Sequence, residues 1–171
     1  PLRRFAKSEI VPSNKDRFLR KETLQGFVHD EASAFFGGLA GNAGLFSTAR
    51  DVARVYQMLL NGGEIDGQRY LSKETCQLFT TETSKISRRG LGFDKPDADD
   101  PKKGNCASAA PAGVYGHTGF TGTCAWVDPV NELVYVFLSN RIYPDVTNRK
   151  LNQLHIRERI QGAIYDAMKK K

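Results

Sequence analysis

The chain has 171 residues, 40% hydrophobic and 26% charged, a composition that supports one hydrophobic core and predicts one domain or a piece of one. Its 25 basic and 19 acidic residues leave a net charge of +6, scattered apart from Arg88-Arg89 and the terminal Lys169-Lys170-Lys171; a nucleic-acid binder concentrates such charge on one element with interleaved aromatics, so a solvated basic surface is expected and no nucleic-acid partner. No stretch approaches the ~18 continuous apolar residues of a membrane span, which argues against a transmembrane helix, and no signal peptide is legible.

Residues 1–30 hold turn formers (Pro1, Pro12, Ser13, Asn14) and mixed charges, which predicts an extended, irregular segment. The glycine-rich stretch FFGGLAGNAGLF at 35–46 suits close backbone packing or positive-φ turns. It is not a phosphate loop, because no Gly-Lys-Ser/Thr follows. Thr48 and Asp51 form a capping pair, and Val52, Val55, Tyr56 and Leu59 then repeat at helical spacing until Gly62-Gly63. A tight turn is expected at Asp66-Gly67, and Ser72 is placed to cap a second, shorter helix. Residues 94–113 are polar and rich in Asp, Pro, Lys, Ala and Gly, which predicts a long exposed loop.

The strongest β signal lies in residues 114–140. Cys124, Trp126 and Asp128 alternate with Thr123, Ala125 and Val127, Asp128-Pro129-Val130-Asn131 is turn chemistry, and residues 133–138 form an almost unbroken apolar run. The pattern predicts an antiparallel hairpin whose second strand is buried on both faces. A closing amphipathic helix over 151–168 would bury Ile156, Ile160, Ala163, Ile164 and Ala167, keep Arg157 and Glu158 elsewhere, leave His155 at the surface and end in lysines that complement its dipole. The three cysteines, Cys76, Cys106 and Cys124, match no zinc spacing, and their odd number does not suggest a disulfide framework; Cys124 reads as a small core residue. Helices packed on a sheet predict an α/β or α+β layer.

The segment from Tyr115 to Thr123, YGHTGFTGT, carries the most chemistry. A strand ending in His117-Thr118-Gly119 presents a polar ring, a hydroxyl and bare backbone in succession, and such an edge can take up an extended acyl group by main-chain hydrogen bonds. Three letters alone are also satisfied by a glycine-rich turn. His29-Asp30 is a second constellation. It reads as a structural pair fixing the glycine-rich segment ahead of a direct catalytic role, and a metal site would need a third ligand that nothing indicates.

Four pieces taken in order give the motif its context: residues 26–63, RRGLGF at 88–93, YGHTGFTGT at 115–123 and WVDPVNELVYVFLSNR at 126–141. The set resembles the serine β-lactamase and penicillin-binding-protein family, and is similar in flavour to the β-lactamase-like domain fused behind family-three glycoside hydrolases in some bacteria. His-Thr-Gly resembles the family's third motif, usually Lys-Thr-Gly. The resemblance implies the C-terminal part of a β-lactamase/transpeptidase-like fold, an antiparallel sheet flanked by helices. It implies that His117, Thr118 and Gly119 bind substrate, that the Phe120 N–H is one of two oxyanion donors, that no cofactor is used, and that the setting is bacterial, periplasmic or extracellular.

The family nucleophile lies in Ser-x-x-Lys, where lysine takes the serine proton. None of Ser8, Ser13, Ser33, Ser47, Ser72, Ser84, Ser87, Ser108 and Ser139 has Lys at the third following position; Ser47 comes nearest, with Arg50, which cannot deprotonate to act as a base. Tyr-x-Asn is absent after all six tyrosines, and Asn42 stands where related sequences often carry His. In the family both missing motifs precede the matched region, and the chain opens at Pro1 without Met, so residues 1–171 are expected to be a single partial domain without a catalytic residue of its own. The parent function implied is acyl-serine hydrolysis of an amide or ester, on β-lactam or cell-wall peptide, with the isolated chain inactive. Its partners would be that substrate, the N-terminal half of the domain, or a second copy of itself. The alternative is a non-catalytic binding domain beside a glycosidase; an upstream Ser-x-x-Lys followed by Tyr-x-Asn would discriminate the two.

Overall fold

The computed structural model describes residues 1–81, 86–100 and 104–169. Ser84 and the last two lysines fall outside them. A three-stranded antiparallel sheet in the order β5-β6-β7 organises the chain, built from β5 (Tyr115–Thr118), β6 (Cys124–Asp128) and β7 (Leu133–Phe137). Two smaller antiparallel pairs accompany it: β1 (Pro12–Lys15) with β2 (Thr23–Gln25), and β3 (Glu64–Ile65) with β4 (Gln68–Arg69). Five α-helices complete the described residues: α1 (Glu31–Phe35), α2 (Ala49–Leu60), α3 (Lys73–Thr80), α4 (Lys150–Gln153) and α5 (Ile156–Met168). The class is mixed α and β, as the sequence pattern predicts.

Local chemistry accounts for most boundaries. The Thr48 hydroxyl accepts the Asp51 N–H and Ser72 accepts that of Thr75, so both expected caps form. Gly62 and Gly63 end α2 at positive φ, and Asp66 and Gly67, both at positive φ, turn β3 into β4. At the β6–β7 turn the Asp128 carboxylate accepts the Val130 and Asn131 amides and the Asn131 side chain, replacing ladder bonds where the chain reverses.

The register decides which side chains share a face. Trp126 pairs with Tyr135 and with Gly116, and Cys124 pairs with Phe137 and with Thr118. Cys124, Trp126 and Tyr135 form the core with Cys106 and Val114, and Ile164 of α5 packs against it. α2 lies against β6 and β7. Behind β5, Tyr56 of α2, Phe93 and Tyr115 stand edge to face, at 6.3 and 5.4 Å between successive rings.

Four expectations need correction. The 1–30 segment holds the β1–β2 pair, because Asp16, buried in the loop between them, accepts the Phe18, Leu19 and Arg20 amides and orders the turn. Within 94–113, Asp94, Cys106 and Ala107 are buried; Asp94 exchanges backbone hydrogen bonds with Gly116, and Ala107 donates its N–H to the Gln161 side chain. The closing helix is broken at His155, which is exposed and left-handed (φ 49°), and the buried row of α5 is Arg157, Gln161 and Tyr165, while Ile160 and Ala163 are exposed. Polar tips make that row possible: Tyr165 donates to Asp128 at 2.8 Å and Arg157 reaches the Thr123 carbonyl. Finally, β7 is half-buried except at Tyr135, since it ends the sheet order.

Candidate functional site

β5 sits at the opposite end of the sheet order from β7. Gly119, just past β5, donates its N–H to the Thr123 carbonyl, so it faces β6. By the alternation of an antiparallel ladder, Gly116 and Thr118 then direct their N–H groups to the outer edge. At Gly116 that edge is taken: Asp94 N–H donates to the Gly116 carbonyl at 2.7 Å and the Gly116 N–H returns to Asp94 at 3.0 Å. At Thr118 the ladder turns the amide outward. Thr118 is half-buried on β5, and Phe120 lies beyond it in the turn with 58% of its surface exposed.

His117 is half-buried and held at both ring nitrogens. Nδ1 lies 2.6 Å from the Thr118 carbonyl and Nε2 lies 3.1 Å from Nη1 of Arg89. A carbonyl only accepts and a guanidinium only donates, so Nδ1 carries the proton and Nε2 accepts from Arg89. The fixed positive charge at the end of β5 belongs to Arg89, whose side chain is about half exposed. Arg89 was legible in the sequence only as half of a basic pair. Arg89 also stands 4.0 Å from the buried Asp94 carboxylate, which its neighbour Arg88 binds more closely, at 2.8 and 3.2 Å, with a further bond from Asn105 at 2.7 Å. Burial raises the Asp94 pKa, but these partners outweigh it and hold the carboxyl below its ordinary value. Asp94 therefore stays charged and keeps the Gly116 end of the edge closed.

His29 and Asp30 point to different tasks. Asp30 caps α1 by accepting the Ser33 amide at 2.7 Å, and Asn42 from the glycine-rich segment reaches the same oxygen at 3.4 Å. The His29 ring instead stacks on Phe120, 5.0 Å between centroids and 8° from parallel. Arg141, which follows β7, places its guanidinium carbon 4.8 Å from the Phe120 centroid. Three distant segments therefore meet at the turn after His117-Thr118-Gly119, a convergence with no local sequence signal.

Two shallow concavities lie elsewhere, one between Lys15 and Thr23 and one around Asn61, Asp66 and Lys73. Neither is lined by β5. Among the described residues no group of His, Cys, Asp and Glu stands ready to hold a metal ion, and no helix is long and apolar enough to cross a membrane.

A strand edge partly closed by a backbone bridge, with a His-Thr-Gly segment leading into an exposed turn, is accompanied by a direct match: the family described as Beta-lactamase covers residues 7–158, and the chain belongs to it. The fold is a partial β-lactamase/transpeptidase fold. Among curated relatives, a protein of Escherichia coli (strain K12) named "Putative D-alanyl-D-alanine carboxypeptidase" is 37% identical over 135 residues. Proteins of the same name from Salmonella agona (strain SL483) and Salmonella typhi are 38% identical over 141 residues. In each case 78% of this chain is aligned, and the chain spans 31% of the relative's length.

Proposed function

We propose that this chain supplies the strand-edge half of a serine hydrolase site, in which the β5 edge holds the acyl part of an amide or ester while a nucleophile outside residues 1–171 attacks it. The observation that carries the proposal is the outward direction of the Thr118 amide beside the Arg89–His117 pair, with Phe120 exposed in the turn just beyond it. In this reading the Phe120 N–H is one donor to the oxyanion of the tetrahedral intermediate, and the second comes with the nucleophile. Loss of one such donor costs on the order of 10²–10³ in rate, and loss of the nucleophile far more, so the chain by itself is inactive.

The Arg89–His117 pair suggests the substrate class. Arg89 offers a fixed cation in place of the family's usual lysine, and the Thr118 hydroxyl lies on the adjoining strand position. Together they suit a terminal carboxylate. With relatives named as D-alanyl-D-alanine carboxypeptidases, we favour cell-wall peptides ending in D-alanyl-D-alanine over neutral esters. Residues 1–171 are in this reading one partial domain, completed by the nucleophile-bearing part.

Backbone amide shifts of the ¹⁵N-labelled chain, titrated with a D-alanyl-D-alanine-terminated tripeptide, test the reading. Thr118 and Phe120 should move, and Arg89→Ala should weaken the response roughly tenfold, the size of one charge-assisted hydrogen bond. Shifts confined to other regions, or a stoichiometric penicillin adduct on any serine of this chain, would overturn it.

A further inference from the structure

We infer that His29 is a positioning residue for the oxyanion amide: by stacking on the Phe120 ring, which Arg141 also contacts, it sets the direction of the Phe120 N–H. The inference rests on the proposed role of that amide and adds a residue the family motifs do not contain.

Phe120 needs such support. It lies outside β5, in a turn between Gly119 and Gly122, and its ring is more exposed than buried. The turn has few anchors of its own. Gly119 N–H donates to Thr123, Gly122 N–H donates to Gly119, and Thr121 accepts the Arg141 N–H at 2.9 Å. The Gly122-to-Gly119 bond closes the turn around Phe120, and the two ring contacts, with His29 and Arg141, add the tertiary hold on the residue itself.

Both contacts are themselves fixed. Arg20 donates Nη2 to the His29 carbonyl and Nη1 to the Val28 carbonyl, each at 2.7 Å, and its Nε binds the buried Asp16 carboxylate at 2.7 Å. Arg141 donates to the Val146 and Asn148 carbonyls at 3.4 and 3.1 Å. The chain thus runs from Asp16 through Arg20 and His29 to Phe120. It links the β1–β2 loop, near one end of the sequence, to the His-Thr-Gly turn.

The charged groups facing His29 are Asp30 on its own segment, Arg20 from the β1–β2 loop and Arg141 from beyond β7. Burial disfavours the imidazolium most, Asp30 opposes this, and the two arginines add to it, so the ring stays neutral to lower pH than a free histidine. A neutral imidazole stacks flat on Phe120; an imidazolium would add a second cation to a ring already facing Arg141.

The test uses the ¹⁵N-labelled chain without ligand. In the parent protein the Phe120 amide shift should follow pH with the midpoint of the His29 ring. In His29→Phe that dependence should vanish while Phe120 amide exchange stays within twofold of the parent. In His29→Ala exchange at Phe120 should rise roughly three- to tenfold, the worth of one ring contact, with Trp126 and Tyr135 amides unchanged. An unaltered Phe120 amide in a folded His29→Ala variant overturns the inference. Should that variant not fold, a Phe120 shift that ignores the His29 titration overturns it equally. Peptide binding is not needed for either outcome, so failure here is separable from failure of the substrate reading.

Discussion

Gly116 stands where β5 has no room for a side chain. A Cβ built there would come within 2.7 Å of the Trp126 ring, and closer still to the Ala125 carbonyl, both in the neighbouring strand. Neither can yield cheaply: Trp126 is 1% exposed at the centre of the core, and the Ala125 backbone is part of the ladder. Forcing a methyl into a packed interior costs about 1–3 kcal/mol, and a clash with backbone rather than a flexible side-chain tip belongs at the upper end. We therefore expect Gly116→Ala to destabilise the chain by about 3 kcal/mol. For a chain of this size that lowers Tm by roughly 6–12 °C. Gly113→Ala is the internal control. A Cβ at Gly113 meets nothing within 4 Å, and its effect should stay within about 0.5 kcal/mol. Thermal unfolding followed by far-ultraviolet circular dichroism and by Trp126 fluorescence measures both variants. Equal Tm values for Gly116→Ala and the parent would refute the packing argument, and with it the claim that this glycine serves the interior rather than ligand access.

Tyr165→Phe removes the O–H that donates to the buried Asp128 carboxylate, which keeps its three turn donors; a loss of about 1.5 kcal/mol by urea unfolding is expected, and no loss would show that α5 is not anchored there. Stability should also rise with pH through the His29 window: the folded pKa is depressed, so protonation favours the unfolded chain as pH falls below its ordinary value near 6.5, and His29→Phe should flatten that slope. Phe35, Phe36, Leu39 and Leu45 are each more than three-quarters exposed within one short segment, and β7 offers an outer edge, so the isolated chain should self-associate at micromolar concentration. A compact monomer in sedimentation that binds no apolar dye would show that residues 1–171 are a self-sufficient unit.

What was readable in the sequence was local. Thr48 and Ser72 act on amides three residues away, Asp66-Gly67 needs only its own φ values, and the β6–β7 hairpin is announced by apolar residues on either side of a turn. The α5 packing escapes the sequence because periodicity counts apolar residues, whereas this interface is made by the shafts of Arg157, Gln161 and Tyr165, with the Gln161 and Tyr165 tips hydrogen-bonded across the layer. The β1–β2 pair is too short and polar to alternate. At the candidate site, His117-Thr118-Gly119 was visible as a motif, but Arg89 lies 28 residues from His117, and Phe120 receives His29 and Arg141 from opposite ends of the chain. Such meetings depend on the sheet register, which no short window of sequence encodes.

The Asp94 bridge to Gly116 also acts as a ruler. An extended guest laid along β5 runs into another backbone two residues before Thr118, and Arg88 and Asn105 keep that obstacle in place. A strand pairing with the outer edge of β5 in register must therefore lie beyond Gly116. The same carboxylate that tidies a loop thus fixes how far along β5 another strand can pair.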